Sequence, residues 1–187
     1  QGKHKKQSGG HGQYGDVKIR FSPGEGDGLT FTQSVVGGSV PKNYFPAIEK
    51  GLLEAMQKGV LAGYPVVGLA ADLYDGSYHD VDSNELSFKM AASLAYKAGL
   101  PLAKPVLLEP IGELKVTIPD SVVGAVMGDI NSKRRGTVLG SNPAEGKPGY
   151  TTIDAEVPKA TMVEYTIDLR AMTQGKGSYS FYFVRYD

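Results

Sequence analysis

Residues 107–120 read LLEPIGELKVTIPD, and the spacing that follows them decides the fold of the second half of the chain. Leu107 to Ile118 reads as a strand, and Pro119-Asp120 supplies a stop and a helix start. Val122, Val123, Val126, Met127 and Ile130 then recur at intervals of three and four, which predicts a helix. Two strands are expected near 136–140 and 150–157, joined by the turn SNPAEGKPG. A second helix is expected from about Lys159 to Met172, with Met162, Tyr165, Leu169 and Met172 along one side. SYSFYFVRY (178–186) is the last strand. The order β-α-β-β-α-β is that of the split βαβ, or ferredoxin-like, sandwich.

Working back toward the N-terminus, VKIRF (17–21) and LTFTQSVV (29–36) flank the turn PGEGDG and predict a hairpin. From Lys42 to about Lys58 the pattern is helical, with Phe45, Ile48, Leu52 and Met56 on one face and Gly59 as the stop. YPVVGLAADLY (64–74) is a buried-strand candidate. The polar loop DGSYHDVDSNE (75–85) follows, in which Asp82 and Glu85 have the spacing of a capping box. Leu86, Met90 and Leu94 line one face of the next helix, which Gly99 and Pro101 end. The chain is therefore expected to be α+β with two domains, 1–103 and 104–187.

Composition narrows the function. The 187 residues are 41% hydrophobic, enough for real cores. Without cysteine there is no disulfide, thiol nucleophile or Cys-ligated zinc, which suits a cytoplasmic protein. The 20 basic and 20 acidic residues cancel, so any RNA contact is expected to be local, through patches such as Lys3-His4-Lys5-Lys6 and Lys133-Arg134-Arg135. No apolar run is long enough for a membrane span. The basic start QGKHKKQSGG lacks an apolar core, so it is not a secretory signal. It reads as the beginning of a fragment of something longer.

Several motifs invite a chemical reading. GGHGQYG (9–15) contains GxGxxG, yet KHKKQS precedes it, a strand follows it, and Val35 stands where a ribose-binding acid would be. With no helix opening there, pyrophosphate has no converging N–H groups to bind. GSNPAEGKPG leaves one residue too many between its glycines for a phosphate loop, and Pro148 occupies the hydroxyl position. His79 lies among Asp75, Asp80 and Asp82, but the zinc spacings are absent and an acidic loop before a helix reads as caps. Lys133, Arg134 and Arg135 follow a helix end, where cations complement the dipole as readily as they contact RNA.

QSGGHGQYGDVKIRFSP, VVGGSVPKNYFPAIEKGLLEA, GVLAGYPVVG, LYDGSYHDVDSNELSFKMAAS, KPVLLEPI and DLRAMTQGKGSY, in this order and at near-constant spacing, resemble the C-terminal part of bacterial elongation factor G. The resemblance implies a first half like domain IV, a βαβ-containing domain akin to a ribosomal-protein fold, and a second half like the ferredoxin-like domain V. It implies no catalytic site in this stretch, with GTP and Mg²⁺ bound by domains upstream. It also implies a cytoplasmic, monomeric translation factor whose partners are the ribosome and the tRNA–mRNA pair, with no DNA and no membrane.

By the same resemblance, two tip loops reach the small-subunit decoding region, comprising Gln7, Ser8, Gly9, Gly10, His11, Gly12 and Gln13, and Ser77, Tyr78, His79, Asp80 and Asp82. Glycines 9, 10, 12 and 15 are expected to adopt positive φ and let the backbone come close to RNA. Lys3, Lys5, Lys6, Lys133, Arg134, Arg135, Arg170 and Lys176 are expected rRNA contacts, with Arg170 and the TQGKG loop near the large-subunit factor-binding region. His79 matches the tip histidine whose eukaryotic counterpart becomes diphthamide, a modification not expected in a bacterial protein.

The sequence departs from the usual pattern at His11, where arginine is usual, and at Gly99-Leu100-Pro101, which shortens a helix. The 131–136 and 141–149 segments are extended, and Val163-Glu164 replaces a Phe-Gly pair. These departures point to a divergent paralogue. The leading expectation is a lever promoting tRNA–mRNA translocation. Its alternatives are a ribosomal protection protein of the tetracycline type, a recycling paralogue, a free-standing RNA-binding module, and a small metal-dependent hydrolase using His79 with Asp80 and Asp82.

Overall fold

A computed structural model describes residues 1–187, which divide into two compact units, Gln1–Leu107 and Leu108–Asp187. The break lies a few residues beyond 103/104, because Leu100–Ala103 forms a short 3-10 turn on the end of the preceding helix.

The first unit begins with β1 (Gly2–Lys6) and β2 (Gln13–Pro23), an antiparallel pair. β1 is a strand that the sequence does not announce, since GKHKK lacks apolar alternation. It is an edge strand whose single buried residue is Gly2, and its lysines blunt the open edge. A Cβ on Gly2 would stand 2.0 Å from the carbonyl oxygen of Ala91, so only glycine lets this edge lie on the helix beneath it.

β3 (Leu29–Gln33) does not pair with β2 as a hairpin. The chain continues through α1 (Phe45–Lys58) into β4 (Leu69–Ser77), which inserts between them, antiparallel to β2 and parallel to β3. The sheet order is β1-β2-β4-β3, with Leu69 opposite Pro23 on one side and Leu29 on the other. Crossing one intervening strand takes about 10 Å, a span the 24–28 turn covers. Its backbone bonds to the start of β4 through Gly24 N–H to Gly68 O and Leu69 N–H to Gly28 O.

α1 has Pro46 in its first turn and ends at Gly59, where a Cβ would collide with the Tyr64 carbonyl at 1.8 Å. α2 (Glu85–Gly99) is capped by Asn84, whose side chain accepts from Ser87 N–H at 2.8 Å. Asp82 is therefore not the cap. The two helices pack on one face of the sheet. Ile48, Leu52 and Met56 of α1 and Phe88, Ala91, Ala92, Ala95 and Tyr96 of α2 close the core over Val17, Ala71 and Leu73. Leu86, Met90 and Leu94 share the opposite, exposed face of α2. Alanines can lie against α1 and β1 at close range, and larger side chains would hold them apart.

The second unit is the ferredoxin-like sandwich. Its elements are β5 (Pro110–Pro119), α3 (Val123–Ser132), β6 (Thr137–Pro143), β7 (Tyr150–Pro158), α4 (Tyr165–Thr173) and β8 (Ser178–Tyr186). The antiparallel sheet runs β6-β7-β5-β8. Leu114, Val116 and Ile118 alternate on β5, as do Ile153, Ala155 and Val157 on β7. They meet Val126 and Ile130 of α3 and Tyr165 and Leu169 of α4. The second helix starts at Tyr165, later than expected, because Lys159–Met162 forms a separate 3-10 turn. Glu164 enters α4 at φ 64°, a left-handed conformation that a glycine would hold with less strain.

Candidate nucleic-acid interface

The 7–12 loop joins β1 to β2, and the 78–84 loop joins β4 to α2. Asp16 of β2 lies opposite Ser77 of β4, so the pairing of these central strands brings both loops to the same end of the sheet. Backbone and side chains then tie the loops together. Tyr14 N–H donates to Asp82 O at 2.9 Å, and Gly12 N–H donates to Asp82 Oδ1 at 3.0 Å. Ser83 Oγ donates to Tyr14 O at 2.8 Å and accepts from His79 N–H at 2.9 Å. Beneath them, Ser77 Oγ links Tyr14 Oη at 2.7 Å to Asp16 Oδ2 at 2.8 Å.

Gln7, Ser8, Gly9, Gly10 and His11 are exposed, as are Tyr78, His79 and Asp80. Gly12, Gln13, Ser77 and Asp82 are half-buried. The glycines divide by cause. Gly9 and Gly10 take φ of 47° and 135° with open space around them. Gly12 and Gly15 do not have positive φ. A Cβ on Gly12 would stand 2.9 Å from the Asp82 carboxylate, and one on Gly15 would stand 2.6 Å from Ser87 O. The expectation of positive φ at all four glycines is thus corrected: at Gly12 and Gly15 the missing Cβ makes room for the protein's own groups.

Gln13 Oε1 is bound to His4 Nε2 at 2.8 Å, and Lys3 Nζ lies 5.3 Å from the centre of the Tyr14 ring. Lys3, Lys5 and Lys6 are exposed and form no ion pair within the chain. They supply the free positive charge nearest the first loop.

His79 does not form a metal cluster with its acidic neighbours; no group of three or more His, Asp or Glu residues is arranged to hold an ion. Its Nδ1 faces the N–H groups of Val81 and Asp82, each at 3.3 Å. Nδ1 is thus the acceptor, and the neutral ring carries its proton on Nε2. Asp75 is drawn away from the histidine by Lys18, at 2.8 Å, whose hydrogen bond holds its carboxyl below the usual carboxylate range.

The basic run in the second unit is committed elsewhere. Arg134 is buried. Its guanidinium bonds to Asp129 Oδ2 at 3.2 Å, to Asp168, and to the carbonyls of Thr161 and Val163. Its assignment as an RNA contact is corrected: this cation is a strut between α3 and α4. Lys133 Nζ lies 2.6 Å from Asp168, and Arg135 makes a two-pronged bond to Glu109 at 3.0 Å per arm. Both stay exposed, but with their charge answered. Arg170 and Lys176 are exposed and unpaired. Arg170 borders a shallow depression of about 250 Å³ with Thr166, Gly177 and Tyr179. The GSNPAEGKPG segment is the end of β6, through Pro143, and the β6–β7 turn, with Lys147 stacked 3.9 Å over the Tyr150 ring.

Tyr14, Asp16 and Ser83 are parts of the site that sequence reading missed. Tyr14 and Ser83 lie inside the loop motifs, but nothing in their spacing shows that strands β2 and β4 will be neighbours.

Residues 1–104 match the family described as elongation factor G, domain IV, and residues 106–187 match elongation factor G C-terminus. A curated relative, the elongation factor G-like protein of Thermotoga maritima, is 50% identical over 186 residues. That alignment covers 99% of this chain and 27% of the relative. A crystal structure of a Thermus thermophilus protein is similar at a TM-score of 0.86 and 48% identity, over 99% of this chain and 27% of that one. The chain therefore spans little more than a quarter of the length of these two proteins. No helix is long and apolar enough to cross a membrane.

Proposed function

Because the chain belongs to the elongation factor G family, through domain IV and the C-terminal domain, we propose that it is the lever of a translocating GTPase. In this reading the two tip loops enter the small-subunit decoding region, occupy the vacated site, and hold tRNA with mRNA against backward slippage. The second unit docks near the large-subunit factor-binding RNA, with Arg170 and Lys176 at that contact. GTP and Mg²⁺ belong to domains outside this stretch, and the protein works as a cytoplasmic monomer. The stretch itself performs no covalent chemistry.

The observation that carries this reading is the pairing of the 7–12 and 78–84 loops into one exposed end, braced from behind by the Tyr14–Ser77–Asp16 chain. That end offers His79 Nε2–H and the Gln7 and Ser8 side chains as hydrogen-bonding groups, with the β1 lysines beside it. Such groups suit phosphate and 2′-hydroxyl contacts, which recognise shape and serve any codon.

The test is a domain exchange. Residues 1–187 replace the matching region of a working elongation factor G, and mRNA movement in a single round is followed alongside GTP hydrolysis. Movement is expected, slowed by His79→Ala with hydrolysis unchanged. A folded chimera that hydrolyses GTP without moving mRNA would sink the lever reading in favour of recycling or protection.

A further inference from the structure

Resting on the placement of the two loops at the working end, the geometry points to Asp82 as the positioning residue that sets their mutual register and the orientation of His79. Its backbone carbonyl takes the Tyr14 N–H at 2.9 Å, where β2 begins. Its side chain reaches further along the first loop, and Oδ1 takes the Gly12 N–H at 3.0 Å. Its other oxygen, Oδ2, stands 3.6 Å from His79 Nδ1. One residue thus holds the first loop at Gly12 and the start of β2 at Tyr14, while its own backbone N–H faces His79 Nδ1 at 3.3 Å; the carboxylate makes no bond to that unprotonated nitrogen.

Each alternative role for Asp82 is already filled. Asn84 caps α2, and no metal cluster exists at the loop. The carboxylate is largely covered, with its side chain 20% exposed, and it spends an oxygen on a backbone amide of the other loop. Gly12 is shaped to receive it, since a Cβ there would stand 2.9 Å from Oδ2. A charge-assisted bond to a loop amide is stronger than a neutral one and suits a latch on a segment with few other contacts.

The consequence for His79 follows from the same turn. Nδ1 faces the Val81 and Asp82 amides, so the tautomer selected carries its proton on Nε2. Nε2 makes no hydrogen bond within the chain and is the donor left for an acceptor on RNA, such as a phosphate oxygen, 2′-hydroxyl or base carbonyl. Asp82 holds the turn that makes this selection, and Gly12 transmits its position to the first loop.

The test uses nitrogen-15 NMR on the 187-residue chain at about pH 8.5, above the ordinary imidazole range. The Gly12 amide is expected to be protected from exchange, and His79 to be predominantly the Nε2–H tautomer. Asp82→Ala is expected to speed Gly12 exchange about tenfold or more and to move His79 toward a mixture of tautomers. Asp82→Asn keeps an oxygen for Gly12 and should retain most of that protection. Gly12→Ala should reproduce Asp82→Ala at the loop, and the double variant should be no worse than the more severe single one. The Ser87 amide, bonded to Asn84, reports whether α2 stays folded; if D82A unfolds it, D82N and G12A decide the matter.

A Gly12 amide that exchanges as fast as Gly9 in the unmutated chain would overturn the latch. So would a D82A spectrum unchanged at Gly12 and His79, or D82N losing the Gly12 bond as fully as D82A. In the domain exchange, D82A should slow mRNA movement as H79A does, with hydrolysis unchanged. Failure of the unmutated chimera to move mRNA would remove the lever reading and leave the NMR result for Asp82 intact.

Discussion

Arg134 shows how one side chain can change role between sequence and structure. In the sequence it is the middle of a basic run; in the fold its side chain is 3% exposed and serves Asp129, Asp168 and two carbonyls at once. Removing it leaves Asp129 facing a low-dielectric interior and two carbonyls without a donor. Arg134→Ala is expected to destabilise the second unit by about 3–5 kcal/mol, measured by urea unfolding. Lysine should rescue little, since it cannot supply the guanidinium's several directed donors. Asp168 adds a pH dependence. The Lys133 hydrogen bond first, and Arg134 next, lower its pKa in the fold, so the unfolded chain takes up the proton first as pH falls. The stabilisation is present above the unfolded carboxylate value of about 3.9 and is lost as pH falls through the depressed folded value. Asp168→Asn should lower stability at neutral pH and flatten the acid side of the stability curve, read from urea midpoints between about pH 6 and pH 2.

At the scale of elements, α2 is the instructive case. Its period is helical in the sequence, but Leu86, Met90 and Leu94 point to solvent while Ala91, Ala92 and Ala95 are buried together with Phe88 and Tyr96. Both faces carry apolar residues, so period alone does not choose between them, and closeness of approach helps decide which is buried. Gly51 of α1 lies where a Cβ would come within 2.5 Å of Lys89 O on α2. Gly51→Ala is expected to cost about 1–3 kcal/mol despite alanine's better helix propensity, whereas Met90→Lys should change stability by less than about 0.5 kcal/mol. Thermal unfolding of the two variants side by side checks both. β1 and β3 teach the same lesson for strands. β1 is held by pairing and by a glycine contact, with no alternation to announce it. The position of β3 depends on β4, a strand read correctly in type but some forty residues away in the chain.

For the whole molecule, zero net charge limits how RNA can be held. Many cations are answered within the chain, including Lys18, Lys133, Arg134, Arg135 and Arg185. Lys3, Lys5 and Lys6 are left free beside the tip. In the proposed complex, ribosome binding should weaken with salt, and replacing these three lysines by alanine should reduce the log–log salt slope by about 2. A slope unmoved by the triple substitution would exclude them as phosphate contacts. Much of this molecule was legible from sequence alone. The βαββαβ order of the second unit and the positions of α1 and α3 follow from local period, turn residues and steric rules. Motif wording carried the family. Tertiary structure alone decided that β4 enters between β2 and β3, that Asp82 reaches Gly12, that two of the loop glycines answer to the protein's own packing, and that Arg134 is a strut. The physical reason is range: period and propensity act within a few residues, while strand pairing, close approach and charge burial depend on which distant segments come to lie together.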